Sequence, residues 1–339
     1  MTFELTQPLL DRVCKQFNLG EIITKPIFIP GGKVHQVWKL QTKKGAYALK
    51  RLAINTSPSL VALYRETQKI AEIFQKNNIP VVTALLHKND PVCFLNNNYF
   101  MLFDWVQGEK ISPQQALRDH AGKMGWMLAQ MHQLHLSPTL FDVSVLNEDF
   151  YSHVFSEEKW QNLVENAIAQ RIAYADKLKN TLPLILKVCH RAEQATERLK
   201  SKRIIAHRDA SPNNVIWPDH QSPIIIDWEL AGLIHPTVDL LGGAFDWSVV
   251  KSEEVSTKRF KAFVSAYHAG GGRAEHTADA FEALIGIWFS WMEFNLVRFV
   301  NAENSVQQEL GEREVIHTLM VFHTVYSEQN KWIKLVEEL

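Results

Sequence analysis

One stretch of this 339-residue chain gathers side chains suited to handling phosphate. It reads Ile204-Ile205-Ala206-His207-Arg208-Asp209-Ala210-Ser211-Pro212-Asn213-Asn214-Val215-Ile216-Trp217 and, after a polar turn, Pro223-Ile224-Ile225-Ile226-Asp227-Trp228-Glu229. Asp209 stands five residues before Asn214, and Asp227 thirteen after it. Two short β-branched runs flank residues 218–222, which predicts a hairpin. Asn214 precedes its first strand and Asp227 follows its second, so both are expected at one end, beside Asp209. Two oxygen donors so placed can hold Mg²⁺, a hard ion that shares its coordination with substrate phosphates. A third carboxylate can take the proton of an attacking hydroxyl during phosphoryl transfer. Asp and Asn are also common turn residues, so any one alone reads as a solvated turn. The set bracketing a hairpin points to chemistry.

The elements around this stretch read as a small sheet-rich part followed by a large helical one. Strands are expected over 22–29, 34–40 and 46–52, with turns at Pro30-Gly31-Gly32 and Lys43-Lys44-Gly45. Ser57 caps a helix that starts at Pro58 and runs to about 76. Residues 80–86 and 99–105 read as two further strands joined through Asn96-Asn97-Asn98. Ser112-Pro113 is expected to open the next helix, followed by helical segments at 124–135, 157–179, 184–199 and beyond 252. There is no internal repeat. The expected class is α+β: an antiparallel-sheet lobe with one main helix over 1–105, and a mostly helical lobe over 106–339 carrying the catalytic and metal loops.

His-x-Asp-x-x-x-x-Asn followed by an Asp after a hairpin resembles the catalytic and metal-binding loops of the protein-kinase-like superfamily. The resemblance implies a lysine on the third strand that meets ATP phosphates, and a helix carboxylate that holds it. Lys50 of Ala48-Leu49-Lys50 and Glu66 of Tyr64-Arg65-Glu66-Thr67 fill those positions. Alternation along the strand puts Ala48 on the same face as Lys50, against the adenine. Gly31 and Gly32 would let the backbone of the first turn cover the phosphates. The expected cofactors are ATP and Mg²⁺, the latter on Asn214 and Asp227, with Asp209 as the catalytic base. Ile226-Asp227-Trp228-Glu229 stands where protein kinases carry Asp-Phe-Gly, and no Ala-Pro-Glu motif follows. Ile234-His235-Pro236-Thr237-Val238-Asp239-Leu240 and the helix from Gly125 to His135 look like the aminoglycoside phosphotransferase and choline kinase branch. In that branch the aspartate corresponding to Asp239 braces the catalytic loop. The resemblance spans residues 22–248. It departs at Arg208, where the branch usually has glycine. His207 is expected to pack under the loop and bond backbone. His132 and His135, three apart on a helix, lack the company of a metal site.

Composition narrows the partners. A net charge of −1 gives no footprint for nucleic acid or an anionic membrane. The three cysteines, Cys14, Cys93 and Cys189, are scattered and read as reduced thiols in a cytoplasmic protein. The N-terminal 20 residues read as an amphipathic helix, without the pattern of a signal peptide. The most apolar stretch, 285–300, is interrupted by Glu293, Asn295 and Arg298. A monomer or homodimer acting on a small-molecule hydroxyl is expected.

Trp288, Trp291, Glu293 and Phe294, with Asp246 and Trp247, are the residues whose types would suit a cationic or amino-sugar acceptor. For each of these aromatics a place in the core of a helical lobe is the favoured reading. The expected function is transfer of the γ-phosphoryl group of ATP to an aminoglycoside, amino-alcohol or sugar-like hydroxyl. The alternatives are a catalytically silent nucleotide-binding module and a protein kinase.

Overall fold

A computed structural model describes residues 3, 5–30, 34–53, 56–146, 155–219 and 221–339. Its elements in chain order begin with α1 (Gln7–Gln16), β1 (Ile27–Ile29), β2 (Gln36–Thr42), β3 (Gly45–Arg51), α2 (Pro58–Lys76), β4 (Cys93–Leu95) and β5 (Asn98–Asp104). Next come α3 (Arg118–Gln133), α4 (Glu157–Ala169), α5 (Ala175–Leu199), β6 (Ile204–Ala206), β7 (Val215–Ile216), β8 (Ile224–Ile225) and β9 (Gly232–Ile234). The chain closes with α6 (Pro236–Asp246), β10 (Val249–Lys251), β11 (Glu254–Val255), α7 (Thr257–Ala269), α8 (Thr277–Val300), α9 (Ser305–Tyr326) and α10 (Gln329–Glu338). They group into two compact units. One comprises Met1–Lys110, Phe141–Leu146 and Asn214–Ala231; the other comprises Ile111–Leu140, Asn147–Asn213 and Gly232–Leu339.

The first unit is built on an antiparallel sheet in the order β1-β2-β3-β5-β4. Side chains alternate between its faces. Leu49, Phe100 and Leu102 join Leu9, Leu10 and Val13 of α1 on one side. Met101 joins Val61 and Tyr64 of α2 on the other. Helix α2 starts where the sequence predicts, with Ser57 Oγ accepting the Leu60 N–H at 3.3 Å and Pro58 in the first turn. Residues 80–86 differ from expectation. They form only single bridges, Val81 to Ile225 and Ala84 to Phe103. The partner of β5 is the shorter β4, across a two-residue turn in which Asn96 and Asn97 both take positive φ, 47° and 58°. Asparagine tolerates that conformation, which matches the twist of a hairpin.

The hairpin β7–β8 packs within this first unit, which extends beyond the expected boundary at 105/106. Backbone pairing is the reason. Val82 N–H bonds Ile225 O at 3.0 Å and Ile225 N–H bonds Pro80 O at 2.9 Å. Glu109 and Trp217 exchange two further bonds of 3.1 and 2.8 Å. Gly108 permits this approach, because a Cβ there would lie 2.7 Å from both Ile216 Cγ2 and the Trp217 carbonyl oxygen.

The second unit is mainly helical. Helix α8 is long and apolar enough to cross a membrane by length and composition, but 61% of its most apolar window is buried. It packs against α4, α5, α6 and α9 as the central helix of this unit. Helix α3 begins at Arg118, later than Ser112-Pro113. The expected break near 180 falls instead at 170–174, where Arg171 and Tyr174 take φ of 63° and 58°. Pro183 sits inside the continuous α5.

Candidate active site

Strand β3 and the turn after β8 bring three charged groups of the first unit together. Lys50 Nζ lies 3.1 Å from Asp227 Oδ1 and also pairs with Glu229 Oε1. Asp227 holds a left-handed backbone, φ 64° and ψ 71°, a conformation in which a non-glycine residue is strained and which clusters at functional sites. Between the two carboxylates, Trp228 is buried with its ring 5.2 Å from Phe74 of α2. That wedge anchors the turn. Burial by itself would pull the Lys50 ammonium toward neutrality, but the charges of Asp227 and Glu229 outweigh it and hold its pKa well above the ordinary value. Burial likewise pushes Glu229 up, and the Lys50 charge together with a hydrogen bond from His35 more than reverses this, so its pKa is lowered.

Glu66 does not fill the position expected of it. Its Oε2 pairs with Lys69 at 2.7 Å and its Oε1 accepts the Asp142 N–H at 2.9 Å. The carboxylate is buried, yet it is spent on its own helix and on residues 141–146. Glu229 takes the lysine instead. Its signal in the sequence was its place two residues after Asp227. Ala48 lies on β3 two residues before Lys50, paired with Lys39 and Phe103. Gly31 and Gly32 lie outside the described residues.

Asn214 ends the turn that leads into β7, and its carbonyl accepts the Ile226 N–H at 2.9 Å. This bond ties the start of the hairpin to the residue before Asp227. The donors offered there are an amide and a carboxylate, both hard oxygen ligands, with the Asp227 side chain 40% exposed. Such a pair fits Mg²⁺, which keeps several waters and leans on substrate phosphates rather than on a closed protein cage. Among the described residues no group of three or more His, Cys, Asp or Glu is arranged to hold a metal.

In the second unit, β6 delivers His207, Arg208 and Asp209. His207 is fully buried and its Nδ1 accepts the Asp209 N–H at 3.2 Å, the backbone role its position suggested. Arg208 has φ 67°, which explains why glycine suits this position. Its guanidinium donates to Leu233 O at 3.2 Å and lies over Gly232, where a Cβ would sit 2.5 Å from Nη2. Asp239 lies in the first turn of α6. Its carboxylate meets His132 Nε2 at 3.0 Å, and His132 Nδ1 meets the Tyr267 hydroxyl at 2.9 Å.

Several residues considered for acceptor binding belong to the packing of this unit. Trp247 is fully buried and donates its indole N–H to Ala210 O at 2.8 Å. Trp288 packs on Phe245. Glu293 is buried and paired with Lys159. Phe294 remains 45% exposed, stacked on Trp291 with the Arg298 guanidinium 4.8 Å from its ring centre.

The sequence matches the phosphotransferase enzyme family over residues 27–280. No curated protein matches it. Among solved structures, it is similar to a spectinomycin phosphotransferase bound to ADP and spectinomycin, with a TM-score of 0.69 at 14% identity over 96% of this chain and 99% of that one. An aminoglycoside phosphotransferase from Alicyclobacillus acidocaldarius matches with a TM-score of 0.62 at 15% identity, covering 100% of this chain and 98% of that one. A choline kinase from Streptococcus pneumoniae gives 0.62 at 15% identity, covering 92% and 99%. The family match makes this chain a member of the phosphotransferase enzyme family, and it shares the fold of these solved phosphotransferases and choline kinase.

Proposed function

We propose that the protein transfers the γ-phosphoryl group of ATP to a hydroxyl of a small molecule. The observation that carries this reading is the contact of Lys50 with Asp227, a cation and a carboxylate 177 residues apart in sequence and 3.1 Å apart in the fold. In the proposed mechanism Lys50 binds the α- and β-phosphates as a fixed positive charge. Asn214 and Asp227 would hold Mg²⁺, which when bound would supply positive charge to offset that of the phosphates. Asp209 orients the acceptor hydroxyl and takes its proton as the hydroxyl oxygen attacks in line. His207 fixes the backbone of Asp209. The solved relatives named for spectinomycin, aminoglycosides and choline support amino-sugar and amino-alcohol acceptors. The buried thiols suit a cytoplasmic enzyme.

The test is ADP release from Mg·ATP across aminoglycosides, choline, ethanolamine, homoserine and simple sugars, with Asp209→Asn as the blank. Turnover on one class, reduced at least ~100-fold in the variant, the scale of a lost general base, would support the assignment. Equal turnover in the variant would remove Asp209 from the mechanism. Silence across the whole panel would count against this acceptor class.

A further inference from the structure

Lys50 has two carboxylate partners, and one of them is itself held in place. Glu229 turns Oε1 to Lys50 and Oε2 to His35, whose Nε2 is 3.0 Å away. The other ring nitrogen of His35, Nδ1, accepts the Ala53 N–H at 3.1 Å. A nitrogen that accepts a hydrogen bond carries no proton, so the imidazole proton sits on Nε2, facing Glu229. The Tyr64 hydroxyl lies 3.2 Å from the same Nε2, and its ring stands edge-on to the imidazole. His35, Tyr64 and Lys50 are each less than a tenth exposed. The ring therefore cannot swing away without breaking the Ala53 bond inside a packed core.

We infer that His35 is a positioning residue: it holds the Glu229 carboxylate and through it sets Lys50 for the nucleotide phosphates. Glu66, the helix carboxylate in sequence position for that task, is engaged by Lys69 and Asp142. Glu229 sits instead in the single 3-10 turn Trp228–Leu230, and its long side chain has rotamer freedom of its own. The His35 donor removes that freedom. Its own direction is set by a backbone amide, so the chain runs from the Ala53 N–H through His35 and Glu229 to Lys50 without a mobile link. The inference rests on the phosphoryl-transfer reading above.

The test is ATP affinity by titration calorimetry on the full chain in EDTA, so that the lysine contact is read without metal. His35→Phe keeps ring volume and removes both nitrogens. It should weaken ATP binding about tenfold to a hundredfold, the range for a lost hydrogen bond to a charged group. His35→Gln places an N–H near the position of Nε2 and should recover most of the affinity. His35→Asn reaches only as far as Nδ1 and should not. Adding Lys50→Ala to His35→Phe should cost little more, since both act through one contact. Melting temperatures separate this role from a structural one. Affinity that follows melting temperature across the Gln and Asn variants, instead of following donor position, would overturn the inference, even if the Phe variant does not fold. Unchanged affinity in His35→Phe would overturn it too, leaving the phosphoryl-transfer reading in place. A wild-type chain that binds no ATP in EDTA and none when Mg²⁺ is supplied in excess would overturn that reading, and this inference with it.

Discussion

The indole N–H of Trp247 donates to the carbonyl oxygen of Ala210 at 2.8 Å, one residue after Asp209. Trp247 caps the end of α6 and is fully buried, so the bond fixes the loop that carries Asp209, the proposed base, from a rigid element. Trp247→Phe keeps most of the packing and removes only the donor. A net hydrogen bond of about 1 kcal/mol corresponds to roughly a fivefold loss, expected in kcat with ATP affinity unchanged. Steady-state kinetics on the acceptor found by the ADP-release panel checks it. A loss confined to ATP affinity would mean that Trp247 does not position Asp209.

Arg208 and Gly232 form a coupled pair. The left-handed backbone of Arg208 favours glycine at that position, and its guanidinium occupies the space that a side chain at residue 232 would need. Gly232→Ala should displace the guanidinium from Leu233 O and destabilise the protein by about 1–3 kcal/mol, the cost of overpacking. Arg208→Gly relieves the backbone strain while giving up the hydrogen bond to Leu233 O. In the Arg208→Gly background Gly232→Ala should cost much less. Denaturant melts of the two single variants and the double give the coupling, and additive losses would show the contact to be unimportant.

The parts legible in the sequence are those whose signals are local. Ser57-Pro58 marks the start of α2 because the cap and the first turn are written in adjacent residues. The hairpin with Asn214 and Asp227 at its ends is legible because turn and strands lie within fifteen residues. The partner of Lys50 was not. Glu66 has the right helix and the right order, but its direction is decided by Asp142, seventy-six residues further on. Glu229 wins the lysine through the Trp228 wedge on Phe74, a contact of tertiary packing. Trp247 looked suited to a cationic acceptor by residue type alone. Its burial and its carbonyl partner depend on α6 lying against the loop. Residues 80–86 have the β-branched content of a strand, yet their hydrogen bonds go to two different partners, which no local pattern reveals.

Acid should weaken the fold through His235. Burial, then the neighbouring charges of His276 and Lys202, lower its pKa to about 4, and Nδ1 must stay unprotonated to accept the Thr237 N–H. The unfolded chain takes up the proton near pH ~6.5. Between that pH and about 4 the unfolded state binds a proton that the folded state refuses, so stability falls as pH falls across this window. The contribution is at most about 3 kcal/mol. His235→Asn can cap α6 through its side-chain oxygen and does not titrate. Its melting temperature should decline less steeply between pH ~6.5 and ~4.5 than that of the wild type. Parallel declines would exclude His235 as the source.

Glu66 has a different task from the one its sequence position suggests, and the difference is measurable at one amide. Its Oε1 accepts the Asp142 N–H, while the Oε2 pair with Lys69 involves a lysine 61% exposed. The exposed pair contributes little, and the bond to the amide is the part that orders residues 141–146. Glu66→Gln retains an oxygen acceptor and should leave that amide protected. Glu66→Ala removes the acceptor from a buried site, which should destabilise the segment by about 1–2 kcal/mol and raise hydrogen exchange at Asp142 about tenfold or more. Phe141 and Leu146 are buried in the same segment, so exchange should rise there without global unfolding. Equal protection in the Ala variant would show that these apolar anchors hold the segment without Glu66.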